Sequence, residues 1–311
     1  MSPSTKKEIK PRFDENLCRE LPTKPIPERG KILVTGGSGY IGGRLIPELI
    51  ARNYDVRVMV RRVDAGYLRR WPNAEVIEAD AVKGEGLPQA LSGIYAAYYL
   101  IHSLLAGPKR FSRVDLAAAR NFSDSTEKEG VKRIIYLGGL GEMSSVLSDH
   151  LRSRLEVAEI LRAGKVPTTE LKAAIVIGAG SASYEIMENL IRRLAVIGTP
   201  LWAYNKCQPI GIRDVIRYLV GCLECDETIG QSYDIGGDDI LTYREMLEIL
   251  AGELGKKRFF YPSPLNNPKL YSYFVSLMTP VPAPIVHCLM EGIRSEVVCH
   301  DRRIKDIIPF E

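Results

Sequence analysis

The run TGGSGYIG at residues 35–42 places glycines where a phosphate group could be bound. An apolar run precedes it and a helical pattern follows it, which predicts a strand, a glycine turn and a helix. In such a turn Gly36 permits the tight bend, Gly39 lets the backbone approach a pyrophosphate, and Gly42 lets the helix pack closely on the sheet. The first N–H groups of the helix then face the phosphates. The candidate binding residues of this loop are Gly36, Ser38, Gly39, Tyr40, Ile41 and Gly42.

Two arginines, Arg61 and Arg62, follow the second predicted strand. In an NAD site an acidic residue near this place accepts hydrogen bonds from the ribose hydroxyls, and arginine cannot accept any. Guanidinium groups can instead bind a 2′-phosphate through paired hydrogen bonds and stack on adenine. The alternative is that both are solvated surface charges. We predict that NADP(H) is favoured over NAD(H), with Ser38 as a further donor to the phosphate.

Polar residues also follow the third and fourth predicted strands. Asp80 and Ala81 come after the third strand, and Asp80 is a candidate to reach the adenine amino group. His102 and Ser103 end the fourth strand, where the nicotinamide ribose would lie. Because ligands of such sheets bind at the carboxyl ends of the strands, we expect these residues to line the cofactor crevice. A structural, hydrogen-bonded role for His102 is equally compatible with its position.

Strand-like and helix-like segments alternate six times before residue 180, which predicts the α/β class. Such alternation needs right-handed crossovers and a parallel, doubly wound sheet. Beyond residue 180 the alternation loosens, which indicates a smaller C-terminal subdomain on the substrate side. We expect a polar tail or strap at 1–29, a dinucleotide-binding core at 30–180 and a substrate-side segment at 181–311. The predicted strands are 31–35, 55–60, 76–79, 94–101, 133–137 and 169–177.

Composition excludes several classes of protein. The chain has 311 residues, a net charge of +4 and 45% apolar residues, as an ordinary globular protein does. The sequence has no basic stripe with interleaved aromatic residues, which is the pattern that would predict a nucleic-acid partner. The N-terminal segment lacks the apolar core of a secretory signal, and the six cysteines have no repeating spacing, so we expect a cytoplasmic protein. The pair Cys222 and Cys225 lies in a helical pattern without a second pair, so we expect no metal site.

Residues 270–290 contain no charged side chain and are long enough to span a bilayer. However, Pro280, Pro282 and Pro284 interrupt any helix there. We therefore expect an apolar segment that packs on the core or on a partner, with peripheral membrane contact as the less favoured alternative. No pattern indicates the oligomeric state.

Several runs together resemble the atypical and extended branches of the short-chain dehydrogenase/reductase superfamily, in particular the NmrA-like and NAD(P)H-binding subgroup. The resemblance spans about Lys31 to Leu254. It implies a Rossmann sheet and an oxidoreductase acting on a small-molecule substrate. A further domain can follow in this subgroup, and we expect none here because the sequence ends at Glu311. The runs are TGGSGYIG, the turn at Asp80, RIIYLGGLGE at 133–142 and GAGSASYEIMENL at 178–190.

The superfamily's catalytic Tyr-x-x-x-Lys pair is absent from the matching positions, which hold His150 and Arg154. By position, Arg154 could hold the ribose hydroxyls, and His150 could act as an acid. Neighbouring arginines would favour the neutral imidazole, and a surface or capping role at the helix start is as compatible. The catalytic candidates are therefore His150, Arg154 and His102. Two functions remain open: hydride transfer without the Tyr–Lys pair, or a non-catalytic NADP(H) sensor or assembly protein.

Overall fold

The computed structural model describes residues 17–103, 111–141, 148–264 and 266–310. A seven-stranded parallel sheet forms its centre, in the order β11-β6-β5-β4-β1-β2-β3. These strands are β1 (Lys31–Thr35), β2 (Val56–Val60), β3 (Glu75–Glu78), β4 (Ile94–Tyr99), β5 (Arg133–Gly139), β6 (Thr168–Ala173) and β11 (Ser232–Ile235). Shorter strands pair as β7 (Val176–Ile177) with β10 (Ile210–Gly211), β8 (Val196–Thr199) with β13 (Phe259–Pro262), and β9 (Lys206–Cys207) with β12 (Leu241–Thr242).

Helices cover both faces of this sheet, which confirms the predicted doubly wound α/β fold. The strand order reverses between β1 and β4, where such sheets bind their ligands. The helices are α1 (Gly42–Ala51), α2 (Ala65–Arg70), α3 (Leu87–Leu91), α4 (Phe111–Lys128), α5 (Asp149–Ala163), α6 (Ala182–Arg193), α7 (Ile212–Glu224), α8 (Tyr243–Glu253), α9 (Pro268–Met278), α10 (Ala283–Gly292) and α11 (Ile304–Ile307).

Alternating side chains of the central strands separate two apolar cores. Ile32 and Val34 of β1 pack in the core that α1 and α7 cover, whereas Leu33 packs with α3, α4 and α5. The continuous apolar run of β4 serves both faces, since Tyr98 and Tyr99 are both buried and belong to opposite cores. α7 and β11 lie beyond residue 180, yet β11 belongs to the central sheet and α7 packs on it. The predicted boundary at residue 180, between a dinucleotide-binding core and a substrate-side segment, therefore stays a prediction about function.

The sixth predicted strand is two strands. β6 pairs with β5, but β7 leaves the central sheet and pairs with β10. At the break between them, the carbonyl of Ile175 accepts a hydrogen bond from the N–H of Ile210 at 2.9 Å. The single strand predicted over 169–177 was therefore wrong, because the apolar run continues while its partner strand changes.

The described part of the N-terminal segment, from residue 17, lies across α1 and α7. Cys18 is fully buried, and its N–H donates to the Glu48 carboxylate at 3.0 Å. Arg52 donates to the carbonyl of Thr23 at 2.9 Å and pairs with the buried Glu224 carboxylate at 2.7 Å. This ion pair joins the segment to both helices. Residues 1–16 of the predicted tail lie outside the described residues.

The apolar stretch 270–290 forms α9 and α10, separated at its prolines as predicted. Val275 of α9 and Val286 of α10 pack with Ile186 of α6 in a separate small core. Within the described ranges, every helix is too short or too polar to cross a membrane.

Candidate functional site

The glycine loop after β1 is a tight turn that requires glycine at its first position. Gly36 has φ +63°, and a Cβ atom there would lie 2.6 Å from the carbonyl oxygen of Leu100. The N–H of Gly39 donates to the carbonyl of Gly36 at 2.9 Å and closes the turn. A side chain at position 36 would therefore strain the backbone and collide with the end of β4.

Close packing of α1 on this turn depends on two more glycines. A Cβ atom at Gly42 would lie 2.6 Å from the carbonyl oxygen of Gly36, and one at Gly37 would lie 2.5 Å from Val58 of β2. The sequence analysis gave no role to Gly37. The only sign of this role in the sequence is that a second glycine directly follows Gly36. Glycine is needed at position 37 because Val58, which is distant in sequence, lies close to it.

The N-terminus of α1 opens directly from the loop. Ile41 precedes the helix and has no side-chain capping hydrogen bond. The N–H groups of Gly43 and Arg44 donate to the carbonyls of Gly39 and Ile41, each at 3.0 Å. An anion at this end would therefore face the remaining N–H groups of the loop and the helix start. Tyr40 packs against the Arg44 guanidinium, 3.8 Å from the ring centre. Arg44 also donates to the carbonyl of Ala179 at 2.8 Å, which connects the loop to the segment after β7.

A cleft of about 540 Å³ lies beside the loop and brings Ser38 together with both arginines that follow β2. A volume of this size suits part of a small-molecule ligand. Arg61 and Arg62 are exposed, so their guanidinium groups are available to a ligand at the surface. The lining residues are Ser38, Arg61, Arg62, Val63, Asp64 and Tyr67.

Three residues of this cleft were missed by the sequence analysis, namely Val63, Asp64 and Tyr67. Asp64 caps α2, accepting from the N–H groups of Gly66 at 2.7 Å and Tyr67 at 3.0 Å. The Tyr67 ring stacks on Trp71 with centroids 5.6 Å apart, which holds it beside the cleft. An aspartate directly before a short helical run is a capping signal that could have been recognised.

The loop after β3 is organised by Asp80. Its Oδ1 accepts from the N–H of Val82 at 2.8 Å, and its own N–H donates to the carbonyl of Glu85 at 2.9 Å. Ala81 is buried, and its carbonyl accepts from the Asn121 amide at 2.9 Å. Neither Asp80 nor Ala81 is among the described residues that line the cleft, so the adenine contact of Asp80 stays a prediction.

Two histidines meet at the ends of β4 and β5. The Nε2 atoms of His102, after β4, and His150, at the start of α5, are 2.8 Å apart, and their rings stack with centroids 4.9 Å apart. Ser148 caps α5 by accepting from the N–H of Leu151 at 3.3 Å. The capping function is therefore supplied by Ser148, and the His150 ring faces His102.

A buried carboxylate that the sequence analysis missed lies behind His102. Asp115 of α4 is 1% exposed; its Oδ1 accepts from the N–H of Ser103 at 3.0 Å, and its Oδ2 lies 3.6 Å from Nδ1 of His102. This second distance is too long for a good hydrogen bond and short enough for electrostatic attraction. Asp115 belongs to no recognisable motif. The sequence shows only an aspartate within a predicted helix that packs on the sheet.

The histidine pair is electrically neutral near pH 7. The pKa of His150 is lowered to about 3, chiefly by burial and also by the nearby His102 and Arg154. Burial also lowers the pKa of His102, with Arg154 acting in the same direction and Asp115 opposing. In the neutral pair one ring donates its Nε2 hydrogen to the other, and neither ring is a cationic acid at neutral pH.

Arg154 is bound by the protein at the carboxyl ends of two strands. It is 7% exposed and donates to the carbonyls of Ile101 at 3.2 Å and Leu137. Its guanidinium lies over the Tyr136 ring, 4.7 Å from the centre. Arg154 therefore supplies a fixed positive charge beside the histidines, and its predicted contact with a ribose stays a prediction.

The cysteine pair of α7 lies apart from these groups. Cys222 is fully buried in the core, as the helical pattern predicted. Among the residues that the structure describes, no group of three or more histidines, cysteines or carboxylates could hold a metal ion.

Residues 36–181 match a family model described as NAD(P)H-binding. With the glycine loop and the seven-stranded sheet, this match makes the region an NAD(P)H-binding domain, similar to those of the atypical short-chain dehydrogenase/reductase superfamily. The resemblance drawn from the sequence is thereby confirmed.

Two curated relatives are similar at low identity. The chloroplastic divinyl chlorophyllide a 8-vinyl-reductase of Cucumis sativus is 25% identical over 262 residues, covering 77% of this chain and 61% of its own. This chain thus spans about three-fifths of that relative's length. The photosystem II assembly factor Ycf39 of Trieres chinensis is 21% identical over 230 residues, covering 72% and 70% respectively.

A solved structure shares the fold. Triphenylmethane reductase of Citrobacter sp., crystallised with NADP(H), superposes with a TM-score of 0.72 at 19% identity. The superposition covers 90% of this chain and 95% of that one. At this identity the likeness shows the common fold alone.

Substituting Gly42 with alanine should destabilise the protein although alanine favours helices. The added Cβ meets backbone atoms of Gly36 and Gly37 at 2.6 and 2.9 Å, so the turn must move, at a cost of about 1–3 kcal/mol. Gly252→Ala in α8 is the matched control, because its Cβ would meet no atom within 4 Å. It should be neutral or stabilising by up to about 1 kcal/mol. Urea unfolding measures both; equal effects would contradict the packing role of Gly42.

The histidine pair should make stability depend on pH. Between the unfolded pKa of about 6.5 and the folded pKa of about 3, the unfolded chain binds a proton at His150 that the folded chain does not. The free energy of unfolding therefore falls as the pH is lowered through this window. When the pH is lowered from about 7.5 to about 5, the free energy of unfolding of the His150→Gln variant should fall by about 1–2 kcal/mol less than that of the unchanged protein. Urea unfolding at both pH values tests this, and parallel losses would show that His150 titrates normally.

Proposed function

We propose that this chain is a reductase that binds NADP(H) in preference to NAD(H) and transfers hydride to a small organic substrate without a Tyr–Lys pair. The observation that carries the proposal is the cleft in which Ser38, Arg61 and Arg62 lie together beside the uncapped start of α1. The family match supports the dinucleotide site, and the arginines support the preference for NADP(H).

The described residues fit the parts of this cofactor. The pyrophosphate would lie on the glycine loop at the start of α1, where helix N–H groups favour an anion. Arg61, Arg62 and the Ser38 hydroxyl would bind the 2′-phosphate, and a guanidinium or the Tyr67 ring would stack on adenine. Asp80 is proposed to reach the adenine amino group from the loop after β3.

The charge balance of the cleft supports a phosphate group. Its lining carries two guanidinium groups against one carboxylate, that of Asp64. Oδ1 of Asp64 accepts from two backbone N–H groups at the start of α2, which spreads its negative charge into the protein. The side chains that line the cleft therefore carry net positive charge, and among the described residues the one further carboxylate bonded to this lining, that of Glu78, accepts from the N–H of Val63 at 3.0 Å. A positively charged lining favours the cofactor with the additional phosphate.

When bound, NADPH would supply a hydride, so the product also needs a proton. We propose that His102 and His150 serve this step as hydrogen-bonding groups. Because both rings are neutral near pH 7, a substrate oxygen or a water molecule could replace one ring as the Nε2 partner of the other. The proton would then come from a water molecule held by the pair, and not from an imidazolium, and the hydroxide left behind would take up a proton from solvent. Arg154 would stabilise negative charge that develops beside them.

The names of similar proteins support the reductase class. Both the divinyl chlorophyllide relative and the structural neighbour crystallised with NADP(H) are named as reductases. Their substrates are not carried over, because the identities are 25% and 19%. We propose a small organic acceptor, and a cytoplasmic location remains a prediction from the sequence.

A second candidate is a non-catalytic NADP(H) sensor or assembly protein. Two observations favour it: the Tyr–Lys pair is absent, and the Arg154 guanidinium already donates to two backbone carbonyls. One relative is also named as an assembly factor. The two functions differ in whether bound NADPH is consumed. A reductase oxidises it when the acceptor is present, whereas a sensor retains it and binds its partner differently in the oxidised and reduced forms.

Replacing both cleft arginines should change cofactor preference. Arg61→Ala with Arg62→Ala should weaken NADPH binding by about 2–4 kcal/mol, since each charge-assisted bond contributes about 1.5–3 kcal/mol. NADH, which lacks the 2′-phosphate, should lose little. Isothermal titration calorimetry with both cofactors measures the difference.

The matched control for the cleft is Arg69→Ala with Lys83→Ala. It removes two exposed cations whose side chains do not line the described cleft. This variant should bind both cofactors as the unchanged protein does. An equal loss of NADPH and NADH affinity in the cleft variant would contradict the 2′-phosphate assignment, while binding by the glycine loop would still stand.

A further inference from the structure

The C-terminal part of the chain exposes an unusual number of large apolar side chains on one side. The most exposed are Leu201 at 72%, Phe259 at 66%, Leu277 at 61% and Tyr273 at 59%. Single exposed apolar residues are common, but clustered ones mark an interaction surface. We call this surface the apolar face; its members are Val196, Leu201, Phe259, Tyr261, Leu270, Tyr273, Phe274 and Leu277.

Helix α9 supplies half of the apolar face. Leu270, Tyr273, Phe274 and Leu277 recur at spacings of three and four residues, so they share one side of the helix. The opposite side is buried, with Val275 in the small core between α6 and α10. The helix is therefore apolar on both sides, although only one side packs on the protein.

The paired strands β8 and β13 extend the face beside α9. Phe259 is in register with Val196, and both are exposed. Tyr261 points the same way, because side chains two residues apart share a strand face. The Tyr271 hydroxyl of α9 lies 3.4 Å from the carbonyl of Gly198 in β8, which joins the helix to the strands.

The 3-10 helix Leu201–Tyr204 completes the connection. The N–H of Leu201 donates to the side chain of Asn266, directly before α9, at 2.9 Å. The Trp202 ring meets the edge of Tyr271 with centroids 5.3 Å apart. These contacts join the three segments that carry the exposed apolar residues.

Positively charged residues lie next to the segments of this face in the sequence. Exposed cations stand at the end of α6, before β13 and at the start of α9, namely Arg193, Lys256, Lys257 and Lys269. Residues 254–290 contain no aspartate or glutamate. An apolar face with exposed cations at the ends of its segments complements a surface that offers hydrocarbon beneath a layer of negative charge.

We propose that the apolar face docks this protein on the surface of an anionic lipid membrane. The aromatic and leucine side chains would enter the boundary between headgroups and acyl chains, while the lysines bind lipid phosphates. No helix needs to cross the bilayer. α10 packs on both α9 and α5, so the docked side would adjoin the helix that carries His150. The proposal goes beyond the proposed reductase function and does not depend on it.

Vesicle flotation with the full chain tests docking without any cofactor or substrate. The protein should float with vesicles of phosphatidylcholine and phosphatidylglycerol at about 50 mM salt and much less at about 500 mM. Vesicles of phosphatidylcholine alone should retain little protein. Lys256→Glu with Lys257→Glu should weaken binding to the anionic vesicles by about tenfold or more.

Tyr273→Ser with Leu277→Ser should weaken vesicle binding similarly, because two inserted side chains are lost. The matched control is Leu68→Ser with Ile240→Ser, which removes apolar side chains of similar exposure, 52% and 51%, outside the face. Lys128→Glu with Lys132→Glu controls for net charge. Both control variants should float as the unchanged protein does, and circular dichroism confirms that every variant is folded.

Two outcomes would overturn the proposal. One is failure of the unchanged protein to float with anionic vesicles, or equal flotation of the face and control variants. The other is a self-association contact: light scattering would show a dimer that the Tyr273→Ser, Leu277→Ser variant converts to a monomer, with vesicle binding unchanged. The first result removes docking altogether, and the second assigns the face to another copy of the chain.

Discussion

The close approach of α1 to the end of β1 is the constraint on which the rest of the structure depends. At Gly42 a Cβ atom would lie 2.6 Å from the carbonyl oxygen of Gly36, so only a hydrogen atom fits between helix and turn. This contact points the helix N-terminus into the crevice where the strand order reverses between β1 and β4. The cleft with Arg61 and Arg62 then lies on the β2 side, and the histidine pair lies on the side of β4 and β5.

The two sides of the crevice differ in their electrostatics. On the β2 side exposed guanidinium groups line an open cleft, where the proposed phosphate would keep part of its hydration while gaining hydrogen bonds. On the other side the pKa values of His102 and His150 are both lowered, with Asp115 and Arg154 as opposite charges near the pair. In the proposed function, a neutral organic group would bind beside this pair. One fold would thereby separate the binding of an anion from chemistry at the histidine pair.

Features set by local sequence could be predicted, and those set by distant contacts could not. The glycine turn, the apolar run of β4 and the proline break between α9 and α10 each follow from adjacent residues. His102 and His150 were recognised singly by position, but their contact depends on how α5 docks at the end of β4. Asp115 has no motif, because its role comes from burial. The break between β6 and β7 has no breaker residue, since it reflects pairing with β10.

The central claim is that the glycine loop and the arginine cleft bind NADP(H). Native mass spectrometry of protein purified without added cofactor, followed by extraction and chromatography of bound small molecules, tests it most directly. The account predicts that NADP(H) is retained, or that emptied protein takes up one NADPH per chain and much less NADH. Protein that retains no dinucleotide and takes up no added NADPH would contradict the account, because the loop would then have only a structural role.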